Sequence, residues 1–421
     1  MVSVTKLLQS VSIFQIGMDQ YSGKRCNIIH QHNITMITNK RFYLHLLITI
    51  TLLSVCILSG CKGMKEDYSK GKIKGISTVS GDSAFNTKEY LGKLLFFEES
   101  LSTPPGQACS ACHAPEFAFA DPEFDLPVSR GARPGLYGNR NDMTIAYAAF
   151  IPPLDYNKEE GIWIGGLFWD GRANSLAEQA QGPPLNPLEM ANPDTLTIAE
   201  KLRALNYSGL FTKAYGSDAL SNPGTAFNNM ADAIEAYEKT SEVSPFSSKY
   251  DHWIRGEAEL SKQELRGLKL FEAEDKGNCA ACHPDKPAED GSPPLFTDFT
   301  YDNLGTPRNP ENPFYLLGPE LNPDGFAFVD LGLGNIVNDP AQNGKFRVPT
   351  LRNVAVTPPY MHNGVFKTLF TVLAFYNTRD LAGWPSPEVS ENVNMEELGD
   401  LELTNQEIED IVAFLKTLTD N

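Results

Sequence analysis

Three kinds of hydrophobic pattern divide the chain. The first is a continuous apolar run, "FYLHLLITITLLSVCIL" from Phe42 to Leu58, which follows Lys40 and Arg41. A basic stub and a short greasy stretch ending in small residues form an export signal. The second pattern has the period of a helix. In "NQEIEDIVAFLKTL", from Asn405, the residues Ile408, Ile411, Leu415 and Leu418 fall on one stripe. Thr404 and Glu407 stand ahead of that stripe at capping-box spacing. "MADAIEAYEKT", from Met230, reads as a second closing helix. The third pattern is punctuation: proline and glycine crowd "TPPG", "GPPLNPLEM" and "TPPY", which argues against extended sheet. The expected fold is mainly α, with long loops.

A weak internal repeat orders these elements. "GKLLFFEES" at Gly92 and "GLKLFEAED" at Gly267 share Gly-x-x-Leu-Phe, and each half ends on a helix-like stretch. The expected organisation is a leader over 1–60, a polar tether over 61–87, and two tandem halves over 88–245 and 246–421. Met36 would give the leader a start at normal signal length.

Composition narrows the partners. At 421 residues the chain has room for two or three domains, and 41% hydrophobic residues can build real cores. A formal net charge of −18 repels phosphate backbones, so no nucleic-acid partner is expected. The same acidic surface suits a basic redox protein, although a solvated surface is the plainer reading. "LSGC" at Leu58–Cys61 resembles a bacterial lipobox, whose cysteine takes lipid; the competing reading is a transmembrane anchor at the short limit of length. The expected location is the periplasm or cell envelope, held to the membrane only by lipid at Cys61.

The cysteines then close an account. Of the seven, Cys26 and Cys56 precede the cleavage point and Cys61 takes lipid. The other four form "CSACH" at Cys109–His113 and "CAACH" at Cys279–His283. Cys-x-x-Cys-His is the c-type haem attachment signature. Two thiols reach the two vinyl groups of a porphyrin, and the adjoining imidazole binds iron. A zinc site would leave the paired histidines unexplained, and a thioredoxin-like reading lacks the parallel-sheet pattern. Two covalent haems are expected, with His113 and His283 as proximal ligands. Each half then reads as a cytochrome c-like unit.

What faces the far side of each iron decides between electron transfer and chemistry. The seven histidines include none between His113 and His252, so the loop around the first haem offers no distal imidazole. Met143 and Met190 are the thioether candidates there, each with a plain packing role as the alternative. An open iron can bind peroxide, and the leaving oxygen then needs a proton. A carboxyl raised towards neutrality by burial can supply it. "FWDGRANSLAEQAQGPPLNPLEM" offers Glu178 and Glu189, which composition alone does not separate.

From about Lys88 to Leu418 the chain resembles the bacterial diheme cytochrome c peroxidase / MauG family. The resemblance rests on "LGKLLFFEESLS", "CSACH", "FWDGRANSLAEQAQGPPLNPLEM", "AIEAYEKT", "CAACH", "FRVPTLRNVAVTPPYMHNG" and "IVAFLKTL", in that order. It implies that Glu189 is the acid–base carboxyl and that Trp169 lies between the haems and relays electrons. It also implies a calcium between the halves, at Asn141, Thr357 and Pro359. Two departures stand out. Near Arg133, where members that need reductive activation carry a movable histidine, there is none. Where the second haem usually has an axial methionine, this chain has Tyr376, with Met361 and Met395 as alternatives. A phenolate stabilises higher iron oxidation states, whereas methionine raises the potential.

These readings converge on an exported di-haem peroxidase that reduces hydrogen peroxide to water with electrons from a small redox protein or other donor. Two alternatives are a MauG-like oxidase acting on a protein residue, and a passive di-haem electron carrier. A homodimer is an arrangement the sequence permits.

Overall fold

The computed structural model describes residues 85–421, apart from 288–290 and 382. The leader, the lipobox at Cys61 and residues 61–84 of the tether lie outside the described residues. Among the described residues, no helix is long and apolar enough to cross a membrane.

The N-terminal half contributes α1 (Thr87–Phe96), α2 (Leu176–Ala180), α3 (Gly182–Leu185), α4 (Thr195–Ala204), α5 (Gly209–Tyr215) and α6 (Pro223–Glu238). The C-terminal half contributes α7 (Lys249–Ile254), α8 (Lys262–Glu272), α9 (Leu333–Val337), α10 (Leu369–Thr378) and α11 (Asn405–Lys416). The molecule is mainly helical. Among the described residues sheet is confined to two antiparallel pairs: β1 (Asp155–Asn157) with β2 (Ile162–Ile164), and β3 (Tyr301–Asp302) with β4 (Phe346–Arg347).

Local chemistry sets the helix ends. Thr404 and Glu407 form the capping box of α11, satisfying backbone N–H groups that the first turn leaves unpaired. α6 begins earlier than the apolar stripe alone suggests. Asn222 caps it by accepting from Thr225 N, and Pro223 sits in the first turn, where a missing N–H costs nothing.

Each half has its own core. In the first, Leu91, Leu95 and Phe96 of α1 pack with Met230, Ile234 and Tyr237 of α6 and with Ile198 and Leu202 of α4. In the second, Leu268 and Phe271 of α8 pack with Ile408, Ile411, Phe414 and Leu415 of α11 and with Leu369 and Leu373 of α10. Each such side chain contributes about 1.5–3 kcal/mol on burial. The two helix crossings share one device. A Cβ on Gly92 would overlap the carbonyl oxygen of Ala233 on α6, and a Cβ on Gly267 would overlap that of Asp410 on α11.

Buried polar bonds join the halves, which lie in one compact unit, Thr78–Asn421. Arg352 is held inside the C-terminal half by a two-pronged pair with Asp251, both bonds 2.9 Å, with both side chains fully buried. Its guanidinium also lies 4.8 Å from the ring centre of Tyr147, and the Tyr147 hydroxyl donates to Asp420 Oδ2 at 2.7 Å. Arg140 donates to Asp170 at 2.6 Å and grips Asp330 through two bonds of 2.6 and 2.8 Å.

Candidate functional site

Each Cys-x-x-Cys-His segment folds as a short 3-10 turn, Cys109–Ala111 and Cys279–Ala281. In both, the histidine N–H donates back to the first cysteine's carbonyl at 2.9 Å. This places the two thiols and the imidazole on one side of a single turn. His113 Nδ1 bonds the carbonyl of Phe119 at 3.2 Å, and His283 Nδ1 bonds that of Phe296 at 2.7 Å. A carbonyl only accepts, so Nδ1 carries the hydrogen and Nε2 keeps its lone pair for a metal. Burial lowers the His283 pKa to about 4, which keeps it neutral and ligand-ready.

Each turn opens into a cavity. One is lined by Cys109, Cys112 and His113, the other by Cys279, Cys282 and His283. Among the described residues no cysteine is in a disulfide. Burial pushes the Cys109, Cys279 and Cys282 thiols up to about 12. Redox and metal-site thiols are shifted the other way, towards thiolate. Two cavities, each with buried thiols and the adjoining imidazole at an edge, fit a covalent haem and not a dithiol redox centre or a zinc site.

The two cavities share a wall. Asn141, Asp142, Met143, Trp169 and Arg347 line both. Trp169 is pinned twice: its ring N–H donates to Asn141 O at 2.8 Å, and its carbonyl accepts from Arg347 N on β4, also at 2.8 Å.

In the N-terminal cavity the structure separates the two carboxylates. Glu178 is exposed; its carboxylate accepts from Asn174 N at 2.8 Å and its N–H donates to Ser175 Oγ, the N-cap of α2. Glu189 lines the cavity instead. Its backbone is held between Asn186 O and Ala132 N, at 3.1 and 2.7 Å. Burial, reinforced by the negative charge of Asp142, raises its pKa to about 7, while Arg172 and an Asn186 hydrogen bond hold it from rising further. Among the described residues His113 is the only histidine lining this cavity. Met143 and Met190 line it too, with Met143 Sδ accepting from Arg347 at 3.7 Å. Arg133 donates to Ala191 O at 3.2 Å and is not part of the lining.

In the C-terminal cavity, Tyr376 and Met361 both line the wall, and the Tyr376 hydroxyl donates to Met361 Sδ at 3.9 Å. Burial and then the nearby cysteines push the phenol's pKa upward. Met395 is 63% exposed and lines neither cavity, which removes it as a ligand candidate. Asn141, Thr357 and Pro359 line this same cavity. Asn141 O is already taken by Trp169, and Asn141 Nδ2 donates to Pro127 O at 3.3 Å.

Sequence reasoning missed three members of these walls. Gln179 and Arg172 line the N-terminal cavity. Buried His362 lines the C-terminal one, stacked on Phe346 with ring centres 3.6 Å apart. Each sits within a segment already singled out, but nothing in its spacing sets it apart from its neighbours.

Two cavities with thiols, proximal imidazoles and a shared aromatic wall define a protein built to hold two covalent haems side by side. The di-haem cytochrome c peroxidase model matches residues 86–259. The methylamine utilization protein MauG of Paracoccus denitrificans is 40% identical over 349 residues, covering 78% of this chain and 88% of that protein. The cytochrome c551 peroxidase of Pseudomonas aeruginosa is 31% identical over 322 residues, 76% of this chain and 80% of that one. Among solved structures, the diheme peroxidase BthA of Burkholderia thailandensis superposes with a TM-score of 0.69 at 34% identity, covering 80% of this chain and 86% of that chain. The chain belongs to the di-haem cytochrome c peroxidase and MauG family. It is an oxidoreductase of that family, and membership implies two haems, a peroxide substrate and an electron donor.

Proposed function

We propose that this chain is an exported di-haem peroxidase in which hydrogen peroxide is reduced in the N-terminal cavity and electrons enter through the C-terminal one. The halves 88–245 and 246–421 would each hold one covalent haem in a cytochrome c-like unit, on Cys109, Cys112 and His113, and on Cys279, Cys282 and His283. A haem in the N-terminal cavity would supply a redox-active iron with an exchangeable position. The observation that carries the reading is the pairing of His113 with Glu189 in one cavity that has no second imidazole among the described residues.

The net reaction, H2O2 + 2 e− + 2 H+ → 2 H2O, needs a group that can take and return a proton near neutral pH. Glu189 suits this because its pKa stands at about 7. Asn186 Nδ2 occupies Oε1 at 2.9 Å, which leaves Oε2 to carry the proton. Trp169 reaches both cavities, and its fixed ring suits electron relay between them. Tyr376 is the proposed axial group beside His283, with Met361 as the alternative; a buried phenol ionises only next to a strong positive charge, which ferric iron would provide. Asn141, Thr357 and Pro359 are proposed calcium contacts, supported by their common place in one wall. Lipid at Cys61 would hold the enzyme at the periplasmic face of a membrane, within reach of a small redox protein.

The test is stopped-flow turnover of the haem-loaded protein with peroxide and a reduced c-type cytochrome, with resting electron paramagnetic resonance. One high-spin and one low-spin signal, with oxidation of the cytochrome, are expected. Two saturated irons and no turnover would leave a passive electron carrier. A MauG-like oxidase is the second reading, favoured by Tyr376 in the C-terminal wall and the 40% identity to MauG. It predicts peroxide-driven oxidation of a protein residue in preference to cytochrome.

A further inference from the structure

The two helix crossings allow the halves to be compared position by position. Gly92 lies against Ala233 and Tyr237, and Gly267 against Asp410 and Phe414. Ala233 therefore corresponds to Asp410, and Tyr237 to Phe414. One residue further on, Glu238 corresponds to Leu415. Likewise Ile234 corresponds to Ile411. Both members of each pair line their own cavity. A position that is leucine in the C-terminal half is a carboxylic acid in the N-terminal half.

Glu238 is only 4% exposed, and its Oε2 has no hydrogen-bond partner. A buried carboxyl without a partner is costly when charged and is rarely kept without a use. On its own helix it meets Glu235, which is paired with Lys239. On α1, Lys93 is engaged by Glu242 at 2.6 Å. From the attachment turn it faces Cys109, whose free thiol it helps to push up. Among the described residues no cation offsets its charge. Burial, aided by Glu235, raises its pKa to about 8.

We propose that Glu238 holds the second proton consumed in peroxide reduction, as a neutral carboxylic acid kept at the Cys109 edge of the N-terminal cavity. This rests on the peroxidase reading above. Glu189 takes a proton from the peroxide and returns it to the leaving water; of the two further protons in the balanced reaction one enters from solvent, and Glu238 stores the other and feeds it to the cavity, while both electrons come from the external donor. Glu238 is a positioning residue in this scheme, acting on the cavity's proton supply and not on the substrate directly.

The test uses haem-loaded wild type, Glu238→Gln, Glu238→Leu and Glu238→Asp. Leucine is already accommodated at the matching place in the other half, so Glu238→Leu guards against loss of fold. Infrared spectra at pH 7 should show a protonated-carboxyl band in the wild type that the Gln and Leu variants lack. In the wild type the band should fade as pH rises through about 8. Peroxide turnover should fall over the same alkaline range. The Gln and Leu variants should be about tenfold slower at pH 7 with no alkaline limb, and Asp should recover part of the rate. A wild-type-minus-Glu238→Gln difference spectrum without a protonated-carboxyl band, or wild-type turnover with its alkaline limb in Glu238→Leu, overturns the proposal. A missing band with normal wild-type peroxide turnover removes Glu238 alone. A wild-type band without any peroxide turnover sinks the peroxidase reading, and the use proposed for this proton with it.

Discussion

In the N-terminal half, α1 crosses α6 at Gly92 beside a Cys-x-x-Cys-His turn; in the C-terminal half, α8 crosses α11 at Gly267 beside another. Both turns lean their histidine Nδ1 on a phenylalanine carbonyl. The frames match, but the walls do not. The first cavity carries Glu189, Glu238, Gln179 and Arg172, and the second carries Tyr376, Met361, Ile411 and Leu415. A frame that places thiols and an imidazole is indifferent to what the metal does next. Titratable groups in the first wall suit proton-coupled chemistry. A mostly apolar second wall with one soft or phenolic donor suits electron storage. The difference in function resides in a handful of side chains on an otherwise repeated scaffold.

The largest effect expected from breaking this asymmetry is at Glu189. Glu189→Gln keeps the size and the Asn186 contact but holds no transferable proton. Peroxide turnover should fall by roughly 10²–10⁴-fold. Because Glu189 must first take a proton, wild-type kcat/KM should fall as pH drops below about 7, and that acid limb should vanish in the variant. The spectrum assigned to the His283 haem should not change. Equal disturbance of both haems would show that the walls are not independent.

Next in size is the buried ion pair inside the C-terminal half. Arg352→Met leaves Asp251 charged, fully buried and unpaired, which costs about 3–5 kcal/mol. Denaturant unfolding measures this directly. Replacing both partners with apolar residues should recover most of the loss, since the pair's desolvation is removed along with its attraction.

The shared frame is tested by Gly92→Ala and Gly267→Ala. Either new methyl meets a backbone carbonyl oxygen, which cannot swing away as a side chain does. A cost of about 3 kcal/mol is expected for each, the upper end for overpacking. The next neighbour is Tyr237 Cβ at 3.0 Å in the first crossing and Phe414 Cβ at 2.8 Å in the second. Gly267→Ala should therefore cost at least as much as Gly92→Ala. Thermal unfolding of the two variants ranks them, and the reverse order would show that the crossings are not equivalent.

Much of this was legible in the chain, for identifiable reasons. The attachment turns follow from covalent geometry, which tolerates no change in Cys-x-x-Cys-His spacing. The cap of α11 was legible because Thr404 and Glu407 sit where the backbone needs them. The start of α6 was missed because Asn222 and Pro223 lie outside the apolar stripe. Residue type alone could not separate Glu178 from Glu189, since each is one acid near a short helix and only folding turns one outward. Glu238 was hidden for the opposite reason. In "EAYEKT" it looks like a solvated charge, and its inward position emerges only when α6 is laid on Gly92.

The smallest effect expected concerns how acid loosens the two halves. Arg140, on the wall of the N-terminal cavity, binds Asp330 of the C-terminal half through two bonds. Despite the opposing effect of burial, Arg140 lowers the Asp330 pKa to about 2 from an ordinary value of 3.8. The folded state therefore favours the carboxylate. Its contribution is fully present above pH 4 and is lost as pH falls through about 2. The shift corresponds to about 2 kcal/mol. Thermal unfolding between pH 5 and pH 2 should show the wild type losing this increment, over and above other carboxyls. Asp330→Asn should start lower at pH 5 and lose correspondingly less on acidification. Parallel pH curves for the two proteins would mean that the Arg140 clasp does not hold the halves together, and that the contacts of Tyr147 with Asp420 and Arg352 carry that junction instead.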